Sequence, residues 1–214
     1  MGSFAEEQRD ALEFVGETLG SLFLLDPLSD EAAPLLDALQ QVDAADAAAA
    51  WPFVDAVQAQ ACLAGMTGDA CASAARQALA EGYRADFVGP NSLSAPPWGS
   101  VYTDRERVVF GATTLELRQW MRSNGVERLD GQRTPEDHIG LLMKMMSWLA
   151  QCRPELVGTF LEQHVLCWAP HYLAQLEEAG AHPLYRSLAR LARLTLEGIK
   201  DAASLTPVER RLYR

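Results

Sequence analysis

Three short segments gather side chains that could do chemistry. Glu136-Asp137-His138 sets two carboxylates beside an imidazole, a combination suited to acid–base work or to metal ligation. Pro96-Pro97-Trp98-Gly99-Ser100-Val101-Tyr102 is a rigid turn carrying two aromatic faces, and Asp104-Arg105-Glu106 follows it closely. Pro and aromatic residues give apolar contact at little ordering cost, while carboxylates hold a guanidinium bidentately. The turn and its charges therefore suit capture of a cationic peptide. The plainer reading is a long surface loop pinned onto its own domain by Trp98 and Tyr102.

The catalytic reading of Glu136 to His138 meets a geometric obstacle. Neighbours on a helix point about 100° apart, so three consecutive residues cannot ligate one ion together. Thr134 as N-cap, Pro135 at the first helical position and two acids facing the positive end of the dipole predict a helix start instead. A binding role for Asp137 is compatible with that. His164 and His171 lie seven apart, without the spacing of four that a helical zinc pair needs, and no GxxxxGK[ST], GxSxG or GxGxxG occurs. A small metal- or nucleotide-dependent hydrolase centred on Asp137 and His138 stands as the alternative; no metal or other cofactor is expected.

The elements that must position these groups read as helices. Ala and Leu dominate, Ile occurs twice, and apolar residues recur at three- and four-residue intervals, a pattern that favours helix over strand. The expected fold is all-α, a single globular domain over residues 1–214 with about ten helices. The first runs from Phe4 to Leu24 with Leu12, Val15, Leu19 and Phe23 on one stripe. Asp30 is read as the cap of a second over Glu31–Gln40, and short helices follow near Asp43–Ala64 and Asp69–Tyr83. The stretch Gly89 to Gly99 holds three Pro and two Gly and cannot be helix throughout, which makes it the first place to look for function. Beyond it, Thr113-Thr114-Leu115-Glu116 matches a capping box, and Gly125 suits the C-terminal turn of that helix. The polar stretch Glu127–Arg133 makes residues 125–134 a candidate hinge. Ile139–Leu149 predicts a deeply buried helix, Pro154 and Pro170 open two more, and His182-Pro183 starts the last.

Eighteen Lys and Arg against 29 Asp and Glu give a formal charge of -11. Such a field repels nucleic acid and anionic lipid and draws cationic partners. Cys62, Cys71, Cys152 and Cys167 show no CxxC spacing, and the opening acids together with Glu17 argue against an export signal, so a reduced cytoplasmic protein without an integral membrane segment is expected.

A set of motifs, in order along the chain, carries a resemblance to a known family. They are Phe87-Val88-Gly89-Pro90, the Pro96–Tyr102 turn, Asp104-Arg105-Glu106 with Phe110-Gly111, Leu117-Arg118-Gln119-Trp120-Met121-Arg122 and Pro135-Glu136-Asp137-His138-Ile139-Gly140. His182-Pro183-Leu184-Tyr185, Leu191-Ala192-Arg193-Leu194-Thr195-Leu196 and Leu212-Tyr213-Arg214 complete the series. The chain resembles the TorD/DmsD-type chaperones of redox-enzyme maturation, above all the DmsD branch, from about residue 80 onward, with the first helix fitting more loosely.

The resemblance implies a TorD-like helical fold and a cytoplasmic chaperone without catalytic chemistry. It would hold the twin-arginine leader of a molybdoenzyme catalytic subunit, one like dimethyl sulfoxide reductase, until cofactor insertion is complete, then release the precursor to the Tat translocase. Matched positions carry leader binding to Phe87, Pro96, Pro97, Trp98, Arg105, Gly111, Pro135, Asp137 and His138. Tyr83, Ser100, Tyr102, Asp104, Glu106 and Glu136 complete the expected site. The chain departs from the family pattern at Tyr83 and Tyr102, where Trp is expected, and at Asn91 and Asp86, where an aromatic and Leu are expected. Independently of the family, a receptor for two adjacent arginines and an apolar stretch needs carboxylates beside a hydrophobic groove. On that view the Pro-Pro-Trp turn and the Asp137 corner must meet.

Overall fold

The computed structural model describes residues 4–90, 92–128 and 134–214. Among them run eleven α-helices: α1 Glu6–Leu24, α2 Ala33–Gln41, α3 Ala44–Ala50, α4 Ala56–Leu63, α5 Arg76–Tyr83, α6 Gly99–Thr103, α7 Ala112–Ser123, α8 Ile139–Cys152, α9 Pro154–Phe160, α10 Ala169–Ala179 and α11 Pro183–Ala202. One π-helical turn, Arg84–Val88, follows α5, and another, Leu161–Val165, follows α9. No strand occurs among the described residues; an isolated antiparallel bridge joins Trp98 to His138. A continuous apolar core draws residues from Phe4 through Leu205.

Local chemistry sets most helix starts. Asp43 accepts from the amides of Ala45 and Asp46, and Asp55 from those of Val57 and Gln58, satisfying first-turn donors that have no partner within the helix. Pro154, Pro170 and Pro183 all fall in first turns. The helix α1 buries the expected stripe of Leu12, Val15, Leu19 and Phe23 and packs along α8. A Cβ on Gly16 would stand 2.6 Å from the carbonyl of Met143, and one on Gly20 would stand 2.9 Å from that of Gly140. As numbers rise in α1 they fall in α8, so the two helices run antiparallel with backbones in close approach.

Three expected starts differ. The second helix begins at Ala33, after a turn in which Ser29 rather than Asp30 bonds the amide of Ala32. The capping box at Thr113 is not formed: α7 begins two residues earlier than that cap would place it, with Gly111 as N-cap, the Thr113 hydroxyl bonds that of Thr103 at 2.8 Å, and Glu116 pairs with Arg210. The third lies at the functional corner and is described below. Gly125 has φ +66°, the left-handed backbone expected after α7. Half of the candidate hinge at 125–134, residues 129–133, lies outside the described residues, and so does Asn91.

After α11 the chain forms an extended strap, residues 205–214. The Val208 amide donates to the Glu162 carbonyl at 3.0 Å and the Tyr213 amide to the Tyr102 carbonyl at 2.8 Å. Arg214 Nη2 donates to the carbonyls of Leu93 at 2.7 Å and Ser94 at 2.9 Å.

Candidate functional site

The Pro-Pro-Trp turn and the Asp137 corner meet. The amide of Ile139 donates to the carbonyl of Pro97 at 2.8 Å and that of Gly99 to the carbonyl of Asp137 at 3.1 Å. The side chain of Asp137 crosses the junction, where Oδ2 accepts from the amide of Ser100 at 2.7 Å. Ser100 lies in the first turn of α6, so Asp137 caps the helix that follows the Pro-Pro-Trp turn. The expected helix at Thr134 therefore does not form, because residues 137–139 are drawn into the bridge and α8 starts at Ile139. His138 is its N-cap, with Nδ1 accepting from the Gly140 amide at 3.1 Å.

Burial is deep at this corner: Asp137 is 4% and His138 5% exposed, and Ser100 is fully enclosed. Trp98 stays partly exposed, its ring edge-on to His138 at 5.7 Å between centroids. Loss of hydration, with the positive charge of Arg128 adding to it, pulls the His138 imidazole down to about 3. It is neutral at physiological pH. Three polar atoms at the junction, Trp98 Nε1, Ser100 Oγ and Asp137 Oδ1, are buried without a hydrogen-bond partner among the described residues. Such atoms cost free energy and mark a place where the fold leaves capacity unused.

Carboxylates gather around the corner. Asp104 accepts from the Thr113 amide with both oxygens at 3.4 Å. Its carboxyl is raised first by burial and, more weakly, by the negative charges of Asp137 and Glu116, against the pull of Thr113. Glu136 pairs with Arg118 at 2.7 Å, and Arg118 lies over the Phe110 ring at 5.3 Å. Arg105 and Glu106 are exposed, and so is the apolar tip Val108 to Phe110. Beside Glu136 opens a groove of about 380 Å³ lined by Met121, Val126, Leu141, Met145 and Trp148 and edged by Glu127, Arg128 and Lys144. The helix expected to be deeply buried thus presents an outer face, with Trp148 44% exposed.

The other expected residues divide. Pro96, Pro97 and Pro135 are buried in the junction itself, and Gly111 caps α7 next to Asp104. A Cβ on Gly111 would overlap the Asp104 carboxylate at 1.6 Å. Tyr102 is fully buried, stacked on Trp168 at 5.7 Å between centroids, and offers no surface. Tyr83 and Phe87 belong to a different interior cluster with Phe23 and Tyr185, and the Tyr83 hydroxyl donates to the carbonyl of Leu24 at 2.6 Å. Asp86 accepts from the Ala181 amide at 2.9 and 3.0 Å, which ties the π-helical turn to the start of α11. Burial pushes its carboxyl up in spite of those bonds.

A family model described as the nitrate reductase delta subunit matches residues 25–174. The Tat proofreading chaperone DmsD of Salmonella typhi is 41% identical over 190 residues, 88% of this chain and 89% of that one. The chain belongs to the TorD/DmsD family. The chaperone protein TorD of Vibrio cholerae is 27% identical over 118 residues, half of this chain and 53% of its own. A crystal structure described as that of a candidate redox enzyme maturation protein from Archaeoglobus fulgidus shares the fold. Its TM-score is 0.55 at 22% identity, over 91% of this chain and 96% of that one.

Placed on this member of the TorD/DmsD family, the hydrolase alternative finds no support. His138 Nδ1 and Asp137 Oδ2 are spent on backbone amides, and among the described residues no three His, Cys, Asp or Glu side chains are grouped to hold a metal ion. No helix among them is long and apolar enough to cross a membrane. Sequence reasoning missed Glu116, Arg210 and the Leu141-Met145-Trp148 face. The signal for that face was Lys144, a charge inside an otherwise apolar run.

Proposed function

We propose that this chain is a cytoplasmic, non-catalytic chaperone, acting as one domain, that binds the twin-arginine leader of a dimethyl sulfoxide reductase-type molybdoenzyme precursor and withholds it from the Tat translocase until it is mature. The observation that carries the reading is the junction of the Pro-Pro-Trp turn with the Asp137 corner, bordered by Asp104 and by Glu136, which also lines the Met145-Trp148 groove. The names borne by relatives, Tat proofreading chaperone DmsD and chaperone TorD, point the same way. Arginine rather than lysine is the ligand that a carboxylate set of this kind selects, because its planar fork donates to two acceptors at once. The net charge of -11 speeds encounter, and the desolvated aromatic contact at Trp98 supplies affinity.

Calorimetric titration with a twin-arginine leader peptide and with its twin-lysine variant tests this. Binding of the first is expected, with the second weaker by about tenfold or more. Absence of heat with both peptides would falsify the reading.

A further inference from the structure

Helix α7 carries one carboxylate, Glu116, on a polar face away from its arginines. Glu116, Gln119, Trp120 and Ser123 share one side by their three- and four-residue spacing, whereas Arg118 and Arg122 point to the opposite one. The first set borders a cleft of about 390 Å³ whose far wall is His164 and the strap residues Val208 and Arg210. Arg210 Nη2 donates to Glu116 Oε2 at 2.7 Å. Trp120 sits half-buried beside the pair, edge-on to His164 at 5.4 Å between centroids. Arg210 also lines a cavity of about 20 Å³ together with Asp137 and His164, two residues that each keep a buried polar atom without a partner, Asp137 Oδ1 and His164 Nε2. The Arg210 side chain thus borders both the cleft and the corner.

The segment that supplies this guanidinium reads Arg210-Arg211-Leu212-Tyr213, two adjacent arginines followed by apolar residues. It is also tied to both flanks of the Pro-Pro-Trp turn, through Tyr213 to Tyr102 on one side and Arg214 to Leu93 and Ser94 on the other. We propose that the Glu116 cleft is a guanidinium site of the leader-binding surface, held in the free chain by its own Arg210 and taken over by an arginine of the incoming peptide. The inference rests on the leader-binding reading and adds to it a built-in competitor. Arg210 is about a quarter exposed and Glu116 about half, so the contact is of the weak, exchangeable kind that a ligand can displace.

Wild type, Arg210→Ala and the double variant Arg210→Ala/Glu116→Gln are titrated with a synthetic twin-arginine leader peptide. Hydrogen exchange at the amides of Val208 and Tyr213 is followed in wild type. Arg210→Ala should bind roughly two- to fivefold tighter than wild type, and adding Glu116→Gln should cancel that gain. In wild type the peptide should accelerate exchange at both amides. Peptide binding with unchanged exchange, or with Arg210→Ala no tighter than wild type, overturns the competitor while leaving leader binding intact. Failure of wild type and both variants to bind overturns the two readings together. Should Arg210→Ala lose its circular dichroism, the exchange experiment on wild type decides alone.

Discussion

Two aromatic regions, both read from the sequence as walls of a peptide site, have opposite characters in the folded chain. Around Tyr83 and Phe87 the rings pack on Phe23 and Tyr185, and the polar atoms are satisfied, Tyr83 by Leu24 and Asp86 by Ala181. Around Trp98 and Asp137 the acid and Ser100 are buried just as deeply while the Trp98 ring is partly exposed, and Trp98 Nε1, Ser100 Oγ and Asp137 Oδ1 are left without partners. Burial alone therefore does not separate core from site. What separates them is unspent hydrogen-bonding capacity, which the first region lacks and the second retains.

The largest effect should come from the satisfied region. Phe87→Ala removes a ring 4% exposed and should cost about 3–5 kcal/mol of stability, read from the urea midpoint, while whatever folds keeps its peptide affinity. A large fall in affinity at full stability would place Phe87 in the binding surface and erase the contrast. Next, Asp137→Ala should lose about 1.5–3 kcal/mol of stability, because the Ser100 amide loses a charged acceptor. Asp137→Asn keeps an acceptor there, so it should stay folded and lose about 2 kcal/mol in leader affinity instead. Equal behaviour of the Ala and Asn variants in both assays would make the carboxylate purely architectural. Trp98→Ala should weaken the peptide by about 2 kcal/mol with only a minor shift in the melting temperature, since the ring is partly exposed.

The smallest effect is in acid. The imidazoles of His138 and His164 are held by burial at about 3 and about 4, below the ordinary 6.5. Between those limits the unfolded chain binds more protons than the folded one, so their contribution to stability is complete above pH 6.5 and is lost as the pH falls. His138→Asn, which retains a cap acceptor for Gly140, should flatten the decline of the melting temperature between pH 6.5 and 4. An unchanged slope would assign the acid lability to other groups.

The sequence was informative wherever the decisive contact is local. Apolar spacing gives α1 and α11, and His182-Pro183 marks the start of α11; the caps Asp43 and Asp55, each bonding amides two and three residues on, divide the short-helix stretch near Asp43–Ala64 into α3 and α4. It misled at Thr134, where every local signal for a helix start is present. The Asp137 side chain is taken instead by the Ser100 amide, 37 positions earlier, and no periodicity or capping rule reaches that far. The pairing of Glu116 with Arg210 is similar: a residue fitting a capping box is claimed by a strap 94 positions later. The motifs gathered residues that do meet at the corner, whereas Tyr83 and Phe87 pack in a separate ring cluster that no motif distinguishes from it.

The bridge between residues 97–99 and 137–139 has one more implication. Synthesis delivers the Pro-Pro-Trp half long before its partner, so a nascent or proteolytically shortened copy that ends ahead of Asp137 owns the aromatic turn but not the acid that caps the helix after it. On the leader-binding reading, the corner that would engage a client is therefore completed only when the later stretch docks.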